Sequence, residues 1–309
     1  MKQVFFCPAC NSEAESRLIK YQYSEQFQSR FAIWECSQCR TKRSHPFLTN
    51  QQLNDYYGQE RIVGEGKYHQ WRGKYKYIQE WIHRRIDIQG MKVVEIGSNS
   101  GNLLRYFREH SNCNVLGIEL STKCKEYSES VNQVPVFNGP VEQFRWQHKE
   151  PADLMIMVHV LEHIPEPGSF LEQVRSMLKP GGYVYIEIPN AYMIDFDLVG
   201  DFSNPLRIPF HSFIYNLDSV TSLLEKNGFR ILAKRSWSRK EDGGSITSAY
   251  AKHFRHRLEQ GLGNNWVARG LGTLIKGVVR FYPNRYILGY YYSRRNRSST
   301  IAVLGQRLE

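Results

Sequence analysis

The chain has 309 residues, 41% of them hydrophobic and 23% charged, enough for one large domain or a domain with a small appendage. No run of 18 or more apolar residues occurs, so no helix is expected to span a membrane, and the opening "MKQVFFCPAC" has no apolar h-region of a signal peptide. A cytoplasmic location is the expectation, with the six cysteines kept as thiols or metal ligands rather than disulfides. The net charge of +11 is local: between Ala251 and Arg297, ten Lys or Arg stand against Glu259 alone.

Residues 1–48 carry two C-x-x-C pairs, Cys7/Cys10 and Cys36/Cys39. A C-x-x-C on a tight turn aims two thiolates at one point, and two such knuckles complete a tetrahedral zinc site. A four-thiolate site leaves no open position for substrate, so the zinc is expected to be structural. Residues 49–90 read as a helical linker, in which Trp71, Tyr75, Ile78 and Ile82 recur at helical spacing and lay a stripe on the following domain. Tyr56, Tyr57 and Tyr68 are candidates to line a substrate cleft.

Residues 91–309 form the main domain. Short apolar runs alternate there with helical patterns, the mark of an α/β fold with a largely parallel sheet. "MKVVEIG", "NVLGIEL", "VPVFNG", "ADLMIMV", "GYVYIEIP" and "GFRILAKRSW" read as six strands, and "SSTIAVLGQRL" as one more. Residues 251–297 interrupt the alternation and read as a basic helical insertion before the last strand. In it Val267, Leu271, Leu274, Ile275, Val278 and Tyr282 share one face, opposite Arg269, Lys276 and Arg280.

"VVEIGSNSG" puts Glu95 at the end of a strand and Gly97 and Gly101 around a turn into a helix. About twenty residues on, Glu119 ends the next strand, placed to accept hydrogen bonds from a ribose diol. The third glycine of the dinucleotide fingerprint is missing, and Glu95 suits a cationic amino group better than a diphosphate.

With "GIEL", "ADLMIMVHVLEHIPEP" and "LKPGGYVYIEIPN" following in order, residues 90–250 resemble the class I S-adenosylmethionine-dependent methyltransferases. The resemblance implies a Rossmann-like seven-stranded methyltransferase sheet, here with a small N-terminal zinc-ribbon-like module. It implies that Glu95 and Gly97 hold the methionine end of the cofactor, that Ser98, Asn99 and Gly101 line the loop, and that Glu119 binds the ribose. His159 joins the cofactor-binding set. The acidic residue often found after strand three is replaced by Pro140, which moves adenine recognition to the Val141 backbone or Glu142.

His159, Glu162 and His163 spell H-x-x-E-H, the zinc signature of inverted metalloproteases. Here the string follows a strand, and Pro165 and Pro167 arrive at once, leaving no helix long enough to present both rings on one face. The match is accidental. Quinone-pathway O-methyltransferases carry a similar E-x-x-E-H with a divalent cation, but His159 replaces the first acid and magnesium prefers oxygen ligands. Sugar C-methyltransferases with an N-terminal zinc module carry a catalytic "H-E-H-F" after the fifth strand, where this chain keeps His211 and Phe213 without the preceding His-Glu. His211 is therefore the expected base for a hydroxyl acceptor, with His163 as assistant or alternative.

The expected function is methyl transfer to a small-molecule hydroxyl, on a sugar or glycoconjugate. The alternatives are an rRNA or tRNA base methyltransferase with a zinc ribbon, or a non-catalytic membrane-surface or scaffold protein. Nucleic acid is not the expected partner, because the charge sits on one amphipathic segment and the loop after strand four is not of the Asn-Pro-Pro type. Peripheral contact with the inner membrane surface through residues 263–285 is an open reading beside that of a cover helix. Oligomeric state and the methylated atom stay open.

Overall fold

The computed structural model describes residues 2–59, 64–147, 150–192, 207–237 and 299–309. The expected insertion at 251–297 and the membrane segment 263–285 lie outside the described residues.

Strands β1 (Lys2–Cys7), β2 (Ser12–Ser24), β3 (Ser29–Cys36) and β4 (Lys42–His45) form an antiparallel meander. Each cysteine knuckle closes with a left-handed residue, Asn11 after Cys10 and Arg40 after Cys39. Helix α1 (Asn50–Gly58) follows, started by a capping box: Thr49 Oγ1 accepts from Gln52 N at 3.2 Å and Gln52 Oε1 from Thr49 N at 2.9 Å.

Helix α2 (Glu65–His83) buries Tyr68, Tyr75, Ile78, Trp81 and Ile82 against Leu103, Leu104 and Phe107 of α3 (Asn102–Ser111). The linker helix is thus part of the main core, and Ile82→Ala would cost about 2–5 kcal/mol.

The main sheet has seven strands in the order β11-β12-β9-β8-β5-β6-β7. They are β5 (Lys92–Ile96), β6 (Asn114–Glu119), β7 (Val136–Asn138), β8 (Ala152–Val158), β9 (Leu178–Pro189), β11 (Phe229–Trp237) and β12 (Thr300–Arg307). The five strands from β7 to β9 are parallel, and β12 runs antiparallel to both β9 and β11. Such a sheet is covered on both faces, which is why β8 reads as a continuous apolar run: Leu154 and Ile156 face the α2 side, Met155 and Met157 the other. On that second face pack α6 (Pro167–Met177) and α7 (Leu217–Lys226), through Phe170, Leu171, Val220 and Leu224.

The chain winds from β5 outward through β6 to β7, then returns to β8 on the other side. The carboxyl ends of β5 and β8 therefore open a crevice where the connections diverge, the place where open α/β sheets bind ligands. One segment leaves this plan: β10 (Phe213–Ile214) pairs antiparallel with β4 and becomes a fifth strand of the N-terminal sheet. Nothing in its sequence announced that exchange.

Candidate functional site

At the end of β5, Glu95 is buried, and its Oε2 has no hydrogen-bond partner among the described residues. Burial pushes its carboxyl well above the usual range, against the pull of Lys74 and with the push of Glu119. An orphaned buried carboxyl of this kind suits a cationic amino group. Gly97 follows at φ +69°, and a Cβ there would lie 2.8 Å from Val160 Cγ2. Its N–H donates to Ile118 O at 2.8 Å, which ties the loop to β6.

Glu119, at the end of β6, accepts from Asn99 N at 2.8 Å through Oε2 and from Ser121 N at 2.9 Å through Oε1. Ser98 is buried with Oγ unpartnered among the described residues, and Gly101 opens α3 at φ +71°. Val141 starts α5 (Val141–Gln147) beside β7, buried, with Glu142 exposed next to it.

After β8 the chain makes a single 3-10 turn, Leu161–His163. His159 lies outside that turn at φ +59°, its N–H donating to Glu187 O at 2.8 Å. Its ring is partly exposed, with Nδ1 3.3 Å from Glu162 Oε1. His163 is buried, and its Nδ1 stands 2.9 Å from Phe210 O. A carbonyl only accepts, so Nδ1 carries the proton, and the tautomer is set.

His211 is 3% exposed, and its ring meets that of His163 edge-on at 4.8 Å. Its Nδ1 and Glu162 Oε2 are both buried without hydrogen-bond partners among the described residues. Burial pushes His211 down to about 3 and lowers His163 as well, so both rings are neutral at pH 7. Burial opposes ionisation of Glu162, but its hydrogen bond with His159 and the neighbouring imidazoles outweigh it and hold the carboxyl down to about 2. The arrangement is a neutral imidazole beside a fixed anion.

One neighbour of this cluster, and one buried lysine beyond it, went unassigned by sequence reasoning. Tyr57 was only a cleft candidate, yet its hydroxyl lies 2.9 Å from His163 Nδ1 and 3.3 Å from Nε2. Tyr56 packs on Phe210 at 4.0 Å between centroids, whereas Tyr68 points elsewhere and donates to Glu109. Lys74 of α2 is buried against Glu187 of β9 at 3.0 Å, and Tyr185 donates to the same carboxylate at 2.8 Å. Burial raises Glu187, but Lys74, His159 and the hydrogen bond from Tyr185 together outweigh it and hold the carboxyl below its usual range. No spacing rule marks a lone lysine on an amphipathic helix.

The four thiols converge, with all Sγ atoms within 4.8 Å of one another, Cys7 3.4 Å from Cys39 and Cys10 3.8 Å from Cys36. Four sulfurs at about 2.3 Å from a tetrahedral zinc stand about 3.8 Å apart, so the donor set fits. Glu162, His163 and His211 also bring one donor atom each within 4.8 Å, but one carboxylate and two imidazoles do not suit magnesium.

The profile of a methyltransferase domain matches residues 68–234, more than half of the chain and all of the crevice between β5 and β8. The chain belongs to the methyltransferase-domain family. This methyltransferase is similar to the ubiquinone biosynthesis O-methyltransferase of Aromatoleum aromaticum, 29% identical over 116 residues that cover 36% of this chain and 49% of that protein. The protein of the same name from Cupriavidus pinatubonensis is 30% identical over 115 residues, 36% and 46% of the two chains. The methyltransferase spans about half the length of the curated relatives it matches.

Two solved structures share the fold. One, from Galdieria sulphuraria and assigned to sarcosine dimethylglycine methyl transfer, has a TM-score of 0.50 at 14% identity, over 83% of this chain and 98% of that one. The other is a chain in the Haloferax volcanii complex of the Trm112 methyltransferase activator with a methyltransferase, at 0.50 and 12%, over 84% and 98%.

Proposed function

We propose that the methyltransferase moves the methyl group of S-adenosylmethionine to a ring-borne hydroxyl of a small acceptor, with His211 as base. The observation that carries this reading is the neutral His211 imidazole, its Nδ1 without a hydrogen-bond partner among the described residues, beside the anionic Glu162. The acceptor oxygen attacks the methyl carbon in line, the carbon–sulfur pair stays on sulfur, and the hydroxyl proton passes to His211. Glu162 stabilises the imidazolium that forms, as the third member of a triad does. His163 is already held by Phe210 and Tyr57, which leaves it the assisting role.

The cofactor would lie along the β5–β6 edge. Glu95 takes its amino group, Glu119 its ribose, the Gly97–Gly101 loop its close approach, and Val141 its adenine. His159, tied to Glu162 and Glu187, would support Glu162 beside its place in the cofactor-binding set. Cys7, Cys10, Cys36 and Cys39 would hold a structural zinc.

The half-buried rings of Tyr56 and Phe210 beside the His pair favour a ring-shaped acceptor. The relatives' name points to an acceptor in quinone biosynthesis and none of the names above points to a carbohydrate, so a phenolic ring takes precedence over the sugar expected from sequence. Radiolabelled methyl transfer to a catechol and to a nucleotide sugar separates the two. His211→Asn should lower kcat by about a hundredfold or more while S-adenosylhomocysteine binds as before. Full turnover by that variant would remove the base. Among the described residues no helix is long and apolar enough to cross a membrane. We also propose peripheral contact with the membrane surface through residues 263–285; unchanged liposome co-sedimentation after deletion of that segment would end the idea.

A further inference from the structure

His211 sits in the main domain's sequence but not in its sheet. Two residues later the chain becomes β10, with Phe213 opposite Arg43 and Ile214 opposite Lys42 of β4. Ser44 N donates to Ser212 O at 3.0 Å, and Ser212 Oγ donates to His163 O at 3.1 Å. Asn216 Nδ2 donates to Cys39 O at 2.7 Å, inside the second cysteine knuckle. On the other side, Ala191 N donates to Tyr215 O at 2.7 Å, and buried Lys42 bridges Ala191 O and Glu35. Among the described residues the His211 ring has no hydrogen bond on Nδ1, so packing against His163 and the backbone that carries it hold its position.

From these contacts we infer that the four-cysteine knuckle is a working part of the acceptor site: it fixes the short strand that follows His211, and Asn216 is the positioning residue that joins them. The inference rests on the reading of His211 as base for its catalytic meaning, though not for its mechanical content. A metal on the four thiolates would fix the turn 36–41, and with it the Cys39 carbonyl that Asn216 holds. Glu95, Gly97 and Glu119 sit on the other sheet and share none of these contacts. Losing the metal should therefore loosen the acceptor side and spare the cofactor side.

Asn216 also caps α7, accepting from Ser219 N at 2.9 Å. Asn216→Ser keeps a good N-cap but is too short to reach Cys39. The test compares zinc-loaded full-length protein, the same protein after chelation and after zinc is restored, and zinc-loaded Asn216→Ser. Amide hydrogen exchange is followed by peptide, S-adenosylhomocysteine binding by calorimetry, and the His211 ring by NMR, assigned with His211→Asn.

Chelation and Asn216→Ser should each speed exchange over 211–216 about tenfold and shift the His211 ring signals. Exchange over 92–101 and cofactor affinity should hold within about twofold, and zinc should restore the chelated sample. Unchanged exchange and ring signals would overturn the coupling. So would uniform loosening with loss of cofactor binding, which would make the metal a general stabiliser. Full methyl transfer by His211→Asn would instead fell the base reading and leave the mechanical result standing, so the two failures are distinct.

Discussion

The Tyr57 hydroxyl reaches the His163 ring across 106 positions of sequence, 2.9 Å from Nδ1. The capping box at Thr49 and the burial of Leu53 fix the helix that delivers it. The N-terminal part of the chain thereby touches the loop after β8 directly. Tyr57→Phe removes one hydrogen bond from a buried imidazole, a loss of about 1 kcal/mol in stability. It should also lower kcat several-fold while the affinity for S-adenosylhomocysteine stays put. Thermal unfolding, calorimetry and turnover check the three parts, and weaker cofactor binding with normal turnover would contradict the placement.

Glu95 leads to a prediction on proton flow. Its carboxyl is raised by burial and meets no hydrogen-bond donor at Oε2 among the described residues, so a cationic amino group entering beside it should favour the ionised form. Binding of S-adenosylhomocysteine should then release protons and tighten as pH rises through the range where free Glu95 titrates. Calorimetry in buffers of different ionisation heat measures the release directly. Glu95→Gln should abolish it; a buffer-independent enthalpy in the wild-type protein would dismiss the ammonium assignment.

The parts of the fold that could be read from sequence are those written in local periodicity. The apolar runs of β5, β6, β8 and β9, and the Gly97–Gly101 turn after "VVEI", are consequences of burial on both faces and of a tight loop, and both leave a local trace. Cys7, Cys10, Cys36 and Cys39 were legible because thiolate spacing is itself local. The acceptor side was not legible in the same way. Tyr57, Lys74 and Asn216 act through partners 106, 113 and 177 positions away, and no window of sequence holds both ends. Two residues of β10 are too short for any alternation to show, so their membership in the N-terminal sheet comes only from tertiary contacts.

Metal content separates the two donor clusters. The four-thiol set fits zinc, and the Glu162, His163 and His211 set is read here as a proton-handling group. Protein purified with zinc should carry one equivalent per chain, lost in Cys39→Ser and kept in His211→Asn. Two equivalents, one of them lost in His211→Asn, would put a metal on the histidine pair and replace the base by a Lewis acid.

The depressed His211 also sets an acid limit on stability. Its folded value of about 3 lies below the 6.5 of a free imidazole, chiefly through burial, with Glu162 opposing and His163, His159 and Arg207 adding to the depression. Below pH 6.5 the unfolded chain binds a proton that the folded chain refuses, so stability is full above that pH and falls as the solution is acidified. At pH 5 this single group removes about 2 kcal/mol, and His163, lowered by burial, acts in the same direction. Glu162 contributes only lower down, because its loss begins near the ordinary carboxylate range. The melting temperature should therefore drop by several degrees between pH 7 and pH 5, and by clearly less in His211→Asn. Equal drops in both proteins would mean that His211 takes up its proton as readily folded as unfolded, so that burial does not hold the ring neutral.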